Sequence, residues 1–190
     1  TRRGAGSTAT GVVLVEHAGA PHWLVFNVGD SRVYRHVGSE LEQLTVDHSL
    51  GQELVDRGEL RQDEIDTFAQ RNVITRAIGA PDQTADSWLM PITNGERLLL
   101  CSDGLSSEVG EEGIRAILTM SGRPEAAAEA LVSTAKRNGG RDNITVVVLD
   151  VLAGGAEPIV EGTSGGMASS AEFELSGASD DTLPVEGLAR

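Results

Sequence analysis

The chain has 190 residues, enough for one domain with a sizeable core, and no apolar run in it is long enough to span a bilayer. Its 29 acidic and 15 basic residues give a formal net charge of −14, which disfavours nucleic acid because that partner needs clustered Lys and Arg. Cys101 is the single cysteine, so an intrachain disulfide is excluded and a reducing compartment fits. We therefore expect a cytoplasmic protein without a membrane segment.

Apolar runs in the first half predict strands separated by turns. The predicted strands are residues 11–15, 22–28, 31–36 and 41–45. The Gly29-Asp30 turn predicts a hairpin between the second and third of them, and the alternating fourth is expected at a sheet edge. Asp47 is a candidate cap for a following helix that Gly58 ends. Residues 59–71 are polar and predict a second short helix or a mobile flap.

The second half continues with strands and then helices. Strands are predicted at residues 73–78, 87–90, 97–101 and 143–151. One helix opens at Glu111, and another runs from Pro124, which is suited to a first helical position, to Gly139. Strands in blocks and helices in blocks indicate an α+β fold with helices packed on sheet faces.

A change of composition after residue 153 divides the chain. Gly, Ser, Ala and acidic residues dominate from Gly154 onward without periodicity. We therefore expect a domain over residues 1–153 and a disordered acidic tail over residues 154–190.

Three aspartates stand at strand ends or tight turns. Asp30 follows a predicted strand, Asp103 ends the run that begins at Arg97, and Asp142 precedes the last strand. Each alone is most simply a turn residue, since Asp bonds its own backbone in turns. Together they suggest a shared site for hard divalent cations, which prefer oxygen ligands. Gly104 leaves room beside the Asp103 carboxylate because it has no Cβ.

Several short motifs in one order then identify a family resemblance. These are Gly6-Ser7-Thr8-Ala9, Gly29-Asp30-Ser31-Arg32, Asp47-His48-Ser49-Leu50, the stretch 71–79, Cys101-Ser102-Asp103-Gly104-Leu105 and Asp142-Asn143-Ile144-Thr145-Val146. The chain resembles the metal-dependent protein phosphatases of the PPM/PP2C family, in the bacterial style, from about residue 4 to residue 151. The resemblance implies an αββα sandwich, in which two antiparallel sheets are flanked by helices.

The resemblance also implies a chemistry. It implies a protein serine/threonine phosphatase in which a water activated by Mn²⁺ or Mg²⁺ hydrolyses phosphoserine and phosphothreonine, with no covalent nucleophile. Asp103 and Asp142 would hold one of two catalytic ions, and Asp30 with Asp103 an accessory third. Asn143 would orient Asp142. The implied partners are phosphorylated proteins, with serine/threonine kinases acting in the opposite direction.

The family pattern includes an earlier segment that we do not find here. That segment carries an acidic pair, an Asp-Gly-x-Gly metal motif and a phosphate-binding Arg, so we expect the phosphatase domain to be N-terminally incomplete. The alternative is a catalytically incomplete phosphatase-like module that binds phosphoprotein or a regulatory partner.

Other reactive side chains favour structural roles. Cys101 lies inside an apolar run and is expected to be a core thiol. Among the four histidines, His48 is the strongest candidate for a functional role because it begins the presumed flap, although a surface position at a helix start is the favoured interpretation. Arg32 and Arg76 could attract phosphate, but ion pairing at strand edges is the simpler interpretation.

Overall fold

The structure is a computed structural model that describes residues 5–156. It contains two antiparallel sheets and four α-helices. The strands are β1 (Ala9–His17), β2 (Ala20–Val28), β3 (Arg32–Val37), β4 (Glu40–Gln43), β5 (Asp86–Pro91), β6 (Arg97–Cys101) and β7 (Val146–Asp150). The helices are α1 (Leu50–Asp56), α2 (Asp103–Ser106), α3 (Glu111–Met120) and α4 (Pro124–Asn138), and a 3₁₀ turn covers Gln62–Thr67. The α+β class and the two antiparallel sheets are thus confirmed.

The two sheets stack face to face. One has the strand order β1-β2-β5 and the other β4-β3-β6-β7. Because side chains alternate between the two faces of a strand, each sheet directs one row of apolar side chains toward the other sheet. The core between the sheets contains Val25 and Trp23 from β2 and Val33 and Leu98 from the second sheet. Trp23 Nε1 also donates across it to the carboxylate of Glu96, a fully buried residue that accepts from Arg35 Nε of its own sheet as well.

Helices α2, α3 and α4 cover the opposite face of the four-stranded sheet. Tyr34, Leu99 and Cys101 on that face pack against apolar residues of the helices and their connections, which are Leu105, Val109, Ile114, Leu118, Ala127, Leu131 and Ala135. On the outer face of the three-stranded sheet, by contrast, Val13 and Leu89 are 46% and 44% exposed. Among the described helices, none combines the length and apolar character that crossing a membrane requires.

Local signals place the long helix correctly. α4 begins at Pro124, has Glu125 in its first turn and ends with Lys136 and Arg137 before Gly139, whose φ is 155°. These charges oppose the helix dipole, and glycine tolerates the positive φ at the end. The prediction for this helix is confirmed.

The predicted β2–β3 hairpin is wrong. β2 pairs with β1 and β5, whereas β3 pairs with β4 and β6. The Gly29-Asp30 turn passes from one sheet to the other, since Val25 and Val33 must face each other across the core rather than lie side by side. β1 and β2 form the hairpin instead, through Ala18 and Gly19 at positive φ.

Two further predictions about local structure need correction, and one helix was missed. Residues 73–78 make only isolated bridges, Ser49 with Ile74 and Ser7 with Ile78, and so do not form a strand. Ser49 caps α1 by accepting from the Gln52 amide, while Asp47 pairs with Arg32. The short helix α2, directly after β6, was not predicted.

The chain remains attached to the domain after residue 153. The Gly155 amide donates to Asn94 Oδ1 at 2.8 Å, and the Ala156 amide donates to the Ile92 carbonyl at 2.8 Å. The rest of the predicted tail, residues 157–190, lies outside the described residues.

Candidate metal centre and its cavity

Asp30 lies in the turn that leaves the three-stranded sheet. Gly29 has a φ of 110°, and a Cβ there would lie 2.7 Å from Thr8 Cβ, so the position favours glycine for conformation and for space. Burial, together with the negative charge of Asp103 and then of Asp47, raises the pKa of Asp30 to about 6, although its own backbone hydrogen bond and Arg32 act in the opposite direction.

Asp103 is the first residue of α2 and follows the buried strand β6. Burial raises its pKa, and the nearby charge of Asp142 raises it further. A Cβ on Gly104 would collide with the backbone oxygen of Asn143 and lie 3.0 Å from its carbonyl carbon. The absence of a side chain at Gly104 therefore lets α2 approach the loop that carries Asp142.

Ser102 fastens Asp103 to that loop. Its amide donates to the Thr145 carbonyl at 3.1 Å, and its hydroxyl donates to the Asn143 carbonyl at 3.0 Å. The same hydroxyl accepts from the Thr145 amide at 3.0 Å. Asn143 contacts Asp142 through its backbone, whose amide donates to Asp142 Oδ1 at 2.7 Å.

Glu108 fixes the other side of the loop. Its side chain is 3% exposed and accepts hydrogen bonds from the amide, Nε and Nη2 of Arg141, the residue before Asp142. These bonds hold the pKa of Glu108 below its usual range. Its carbonyl also accepts from Asn138 Nδ2. This pair was not predictable from sequence, because the two residues are 33 positions apart with no shared motif.

Arg32 and Arg76 form ion pairs, as expected. Arg32 contacts both carboxylate oxygens of Asp47 and donates to the Tyr34 hydroxyl. Arg76 Nη1 donates to Asp86 Oδ1 at 2.9 Å. Both guanidinium groups are therefore already engaged with carboxylates.

These elements surround one cavity of about 430 Å³. It is lined by Asp30, Arg32, Asp47, Ser49, Ile65, Arg71, Asp103, Ser106, Ser107, Glu108, Gly110 and Arg141. Ile65 and Arg71 come from the stretch predicted to be a flap, which thus forms one wall. Asp142 is outside this lining set but close enough to Asp103 to repel it. Within residues 5–156, no three His, Cys, Asp or Glu side chains converge closely enough to hold a metal ion.

The structure also places two other reactive side chains. Cys101 is 4% exposed, and burial raises the pKa of its thiol to about 12, so the prediction of a core thiol is confirmed. The prediction of a surface role for His48 is wrong, since the residue is 3% exposed and bonded through both ring nitrogens. The only sequence feature that singled out His48 was its place in the Asp47-His48-Ser49 motif.

Comparison with known proteins finds similar chains in several bacteria, although no family model matches the sequence. The serine/threonine protein phosphatase PstP of Mycobacterium tuberculosis is 39% identical over 168 residues, covering 86% of this chain and 31% of PstP. The protein phosphatase PhpP of Streptococcus pneumoniae is 35% identical over 156 residues, covering 82% of this chain and 62% of PhpP.

A solved structure shows the same fold. The PPM Ser-Thr phosphatase MsPP of Mycobacterium smegmatis, in complex with cacodylate, superposes with a TM-score of 0.69 at 41% identity, covering 77% of this chain and 62% of that one. The PstP catalytic domain in complex with two manganese ions gives a TM-score of 0.64 at 34% identity, covering 78% of this chain and 60% of that one. The chain spans between 31% and 62% of the length of the curated relatives it matches.

Proposed function

We propose that this chain, which belongs to the bacterial PPM (PP2C-type) family of serine/threonine protein phosphatases, takes part in the hydrolysis of phosphoserine and phosphothreonine in proteins. The observation that carries the proposal is that the Asp30 and Asp103 side chains line one cavity. Both carboxylates are partly buried there, and the pKa of each is raised. A bound cation would remove that penalty, which gives the arrangement a purpose beyond stability.

The donor set fits Mn²⁺ or Mg²⁺. The candidate ligands are carboxylate oxygens alone, and Mg²⁺ keeps several waters while binding through one or two carboxylates. Asp103 with Asp142 would hold one ion, and Asp30 with Asp103 another. When bound, such ions lower the pKa of a bound water and neutralise charge on a phosphoryl group.

The chain's own residues would orient these ligands. Ser102 and Gly104 bring Asp103 against the loop, and the Asn143 amide directs the Asp142 carboxylate. The Glu108–Arg141 pair holds the loop in place. A cavity wall from the predicted flap, including Ile65 and Arg71, stands opposite and would limit which phosphorylated segments enter.

We propose phosphorylated proteins as the substrates, serine/threonine kinases as the opposing enzymes and the cytoplasm as the compartment. The named relatives are protein phosphatases, which supports the first of these. The low thiolate fraction of buried Cys101 agrees with a protein that does not use cysteine chemistry.

The test is Mn²⁺-dependent hydrolysis of a phosphothreonine peptide by this chain and by the same chain extended upstream in its gene. Asp103→Asn and Asp142→Asn should abolish the activity of the active form without unfolding it. Asp63→Asn is the matched control, because its side chain is 74% exposed and is not among the residues that line the cavity. Activity in neither form would exclude the phosphatase assignment and support a binding module.

A further inference from the structure

His48 joins the Asp30 turn to the base of the cavity wall. Its amide donates to the Gly29 carbonyl at 2.9 Å, and the Gly29 amide donates to His48 Nδ1 at 3.1 Å. Asn27 Nδ2 also donates to the Gly29 carbonyl at 2.9 Å. Both polar groups of the glycine before Asp30 are therefore bonded by one buried histidine.

The hydrogen bonds define the state of the imidazole. Nδ1 accepts from the Gly29 amide, which assigns the proton of the neutral ring to Nε2, where Asp86 Oδ2 accepts it at 3.0 Å. Arg76 Nη1 also lies 3.2 Å from Nε2, but it has no acceptor in a ring protonated there. Arg76 Nη1 donates to the other oxygen of Asp86 at 2.9 Å. The first residue of β5 thus holds the ring in the orientation that receives the Gly29 amide.

The same residue closes the base of residues 50–73, which we call the flap segment. The Leu50 amide donates to the Val73 carbonyl at 2.8 Å, and the Thr75 amide donates to the His48 carbonyl at 2.9 Å. Ser49 and Ile74 form a bridge between these bonds. Both ends of the flap segment therefore meet at His48, and the segment supplies Ile65 and Arg71 to the cavity.

We propose that His48 is a positioning residue that holds Asp30 in the cavity and fixes the flap segment to the same point. Burial alone would require partners for both ring nitrogens, but it would not require that one partner be the amide of the residue before Asp30 or that the His48 backbone also close the flap segment. The turn passes between the two sheets, and the bonds to His48 hold it together with the Asn27 bond and the Thr8–Ser31 hydroxyl contact. The proposal rests on the proposed function, because it concerns Asp30 as a metal ligand.

Two substitutions separate the two bonds of the ring. In His48→Asn, the amide oxygen stands where Nδ1 stood, so it keeps the acceptor for Gly29 and loses the link to Asp86. In His48→Gln, the amide nitrogen reaches the position of Nε2, so it keeps the donor to Asp86 and loses the acceptor for Gly29. Both variants lose the imidazole ring, and Asn fills less of its space than Gln, so a general packing defect should affect His48→Asn at least as strongly as His48→Gln.

The measurements are hydrogen exchange of the Gly29 and Thr75 amides without metal, and titration with Mn²⁺ alone. His48→Gln should lose protection at Gly29 and weaken Mn²⁺ binding about tenfold, while His48→Asn stays within about threefold of wild type. Equal effects of the two variants, or a larger effect of His48→Asn, would overturn the proposal. If the wild-type chain binds no Mn²⁺, the proposed metal site fails, and the exchange data alone still decide the role of His48.

Discussion

Replacement of Gly104 by alanine tests whether the close approach of α2 to the Asp142 loop matters. The added Cβ would lie 3.0 Å from the carbonyl carbon of Asn143, whereas carbon atoms pack best at about 3.5–4.0 Å. The obstacle is backbone rather than a flexible side chain, so the two segments must separate by about 0.5 Å or more.

The expected stability change is a difference between two effects. Insertion of a methyl group into a tight contact costs about 1–3 kcal/mol. Alanine in place of glycine within a helix returns about 0.5–1 kcal/mol through the unfolded chain. We therefore expect the free energy of unfolding to fall by up to about 2.5 kcal/mol. A shift of this kind between Asp103 and Asp142 should also weaken Mn²⁺ binding.

Urea unfolding followed by tryptophan fluorescence provides the assay, because Trp23 and Trp88 both pack against the core between the sheets. Gly122→Ala is the matched control, since no atom lies within 4 Å of a Cβ at that glycine. If Gly104→Ala were as stable as Gly122→Ala and bound Mn²⁺ as well as wild type, the reasoning about the close approach would be refuted.

Three further predictions concern the cavity and the core. Because the pKa of Asp30 is raised to about 6, ionisation of this carboxyl destabilises the metal-free fold as the pH rises from about 4 to about 6. Asp30→Asn should therefore stabilise the chain by about 1–3 kcal/mol at pH 7 and have little effect at pH 4, measured by urea unfolding in EDTA. An equal effect at both pH values would contradict this. Glu96→Ala leaves the buried ends of Arg35 and Trp23 without their acceptor and should cost about 3–5 kcal/mol, whereas Glu96→Gln, which can still accept, should cost less in the same assay. Leu131→Ala opens a cavity under α4 in a fully buried position and should cost about 2–5 kcal/mol by thermal or urea unfolding, with Mn²⁺ binding by the folded protein unchanged; a smaller loss would mean that the core collapses around it.

The sequence by itself determined the elements whose signals are local. The apolar run at Arg97–Cys101 is a strand because its side chains are buried on both faces, and α4 carries its own start and end signals in Pro124 and Gly139. The order of short motifs identified the family, since each motif combines a residue of special conformation with one of special chemistry. Asp30, Asp103 and Asp142 remain proposed ligands, and Gly104 and Asn143 proposed supports.

Tertiary structure decided the pairing of strands and the environment of the polar residues. Residues before and after the Gly29-Asp30 turn look like a hairpin locally, but burial of both apolar faces stacks them in different sheets. His48 looked like a surface residue because nothing near it in sequence is its partner; Gly29 and Asp86 lie 19 and 38 positions away. Such contacts depend on which distant segments pack together in the fold. The pattern of residues close together in sequence carries no information about that packing.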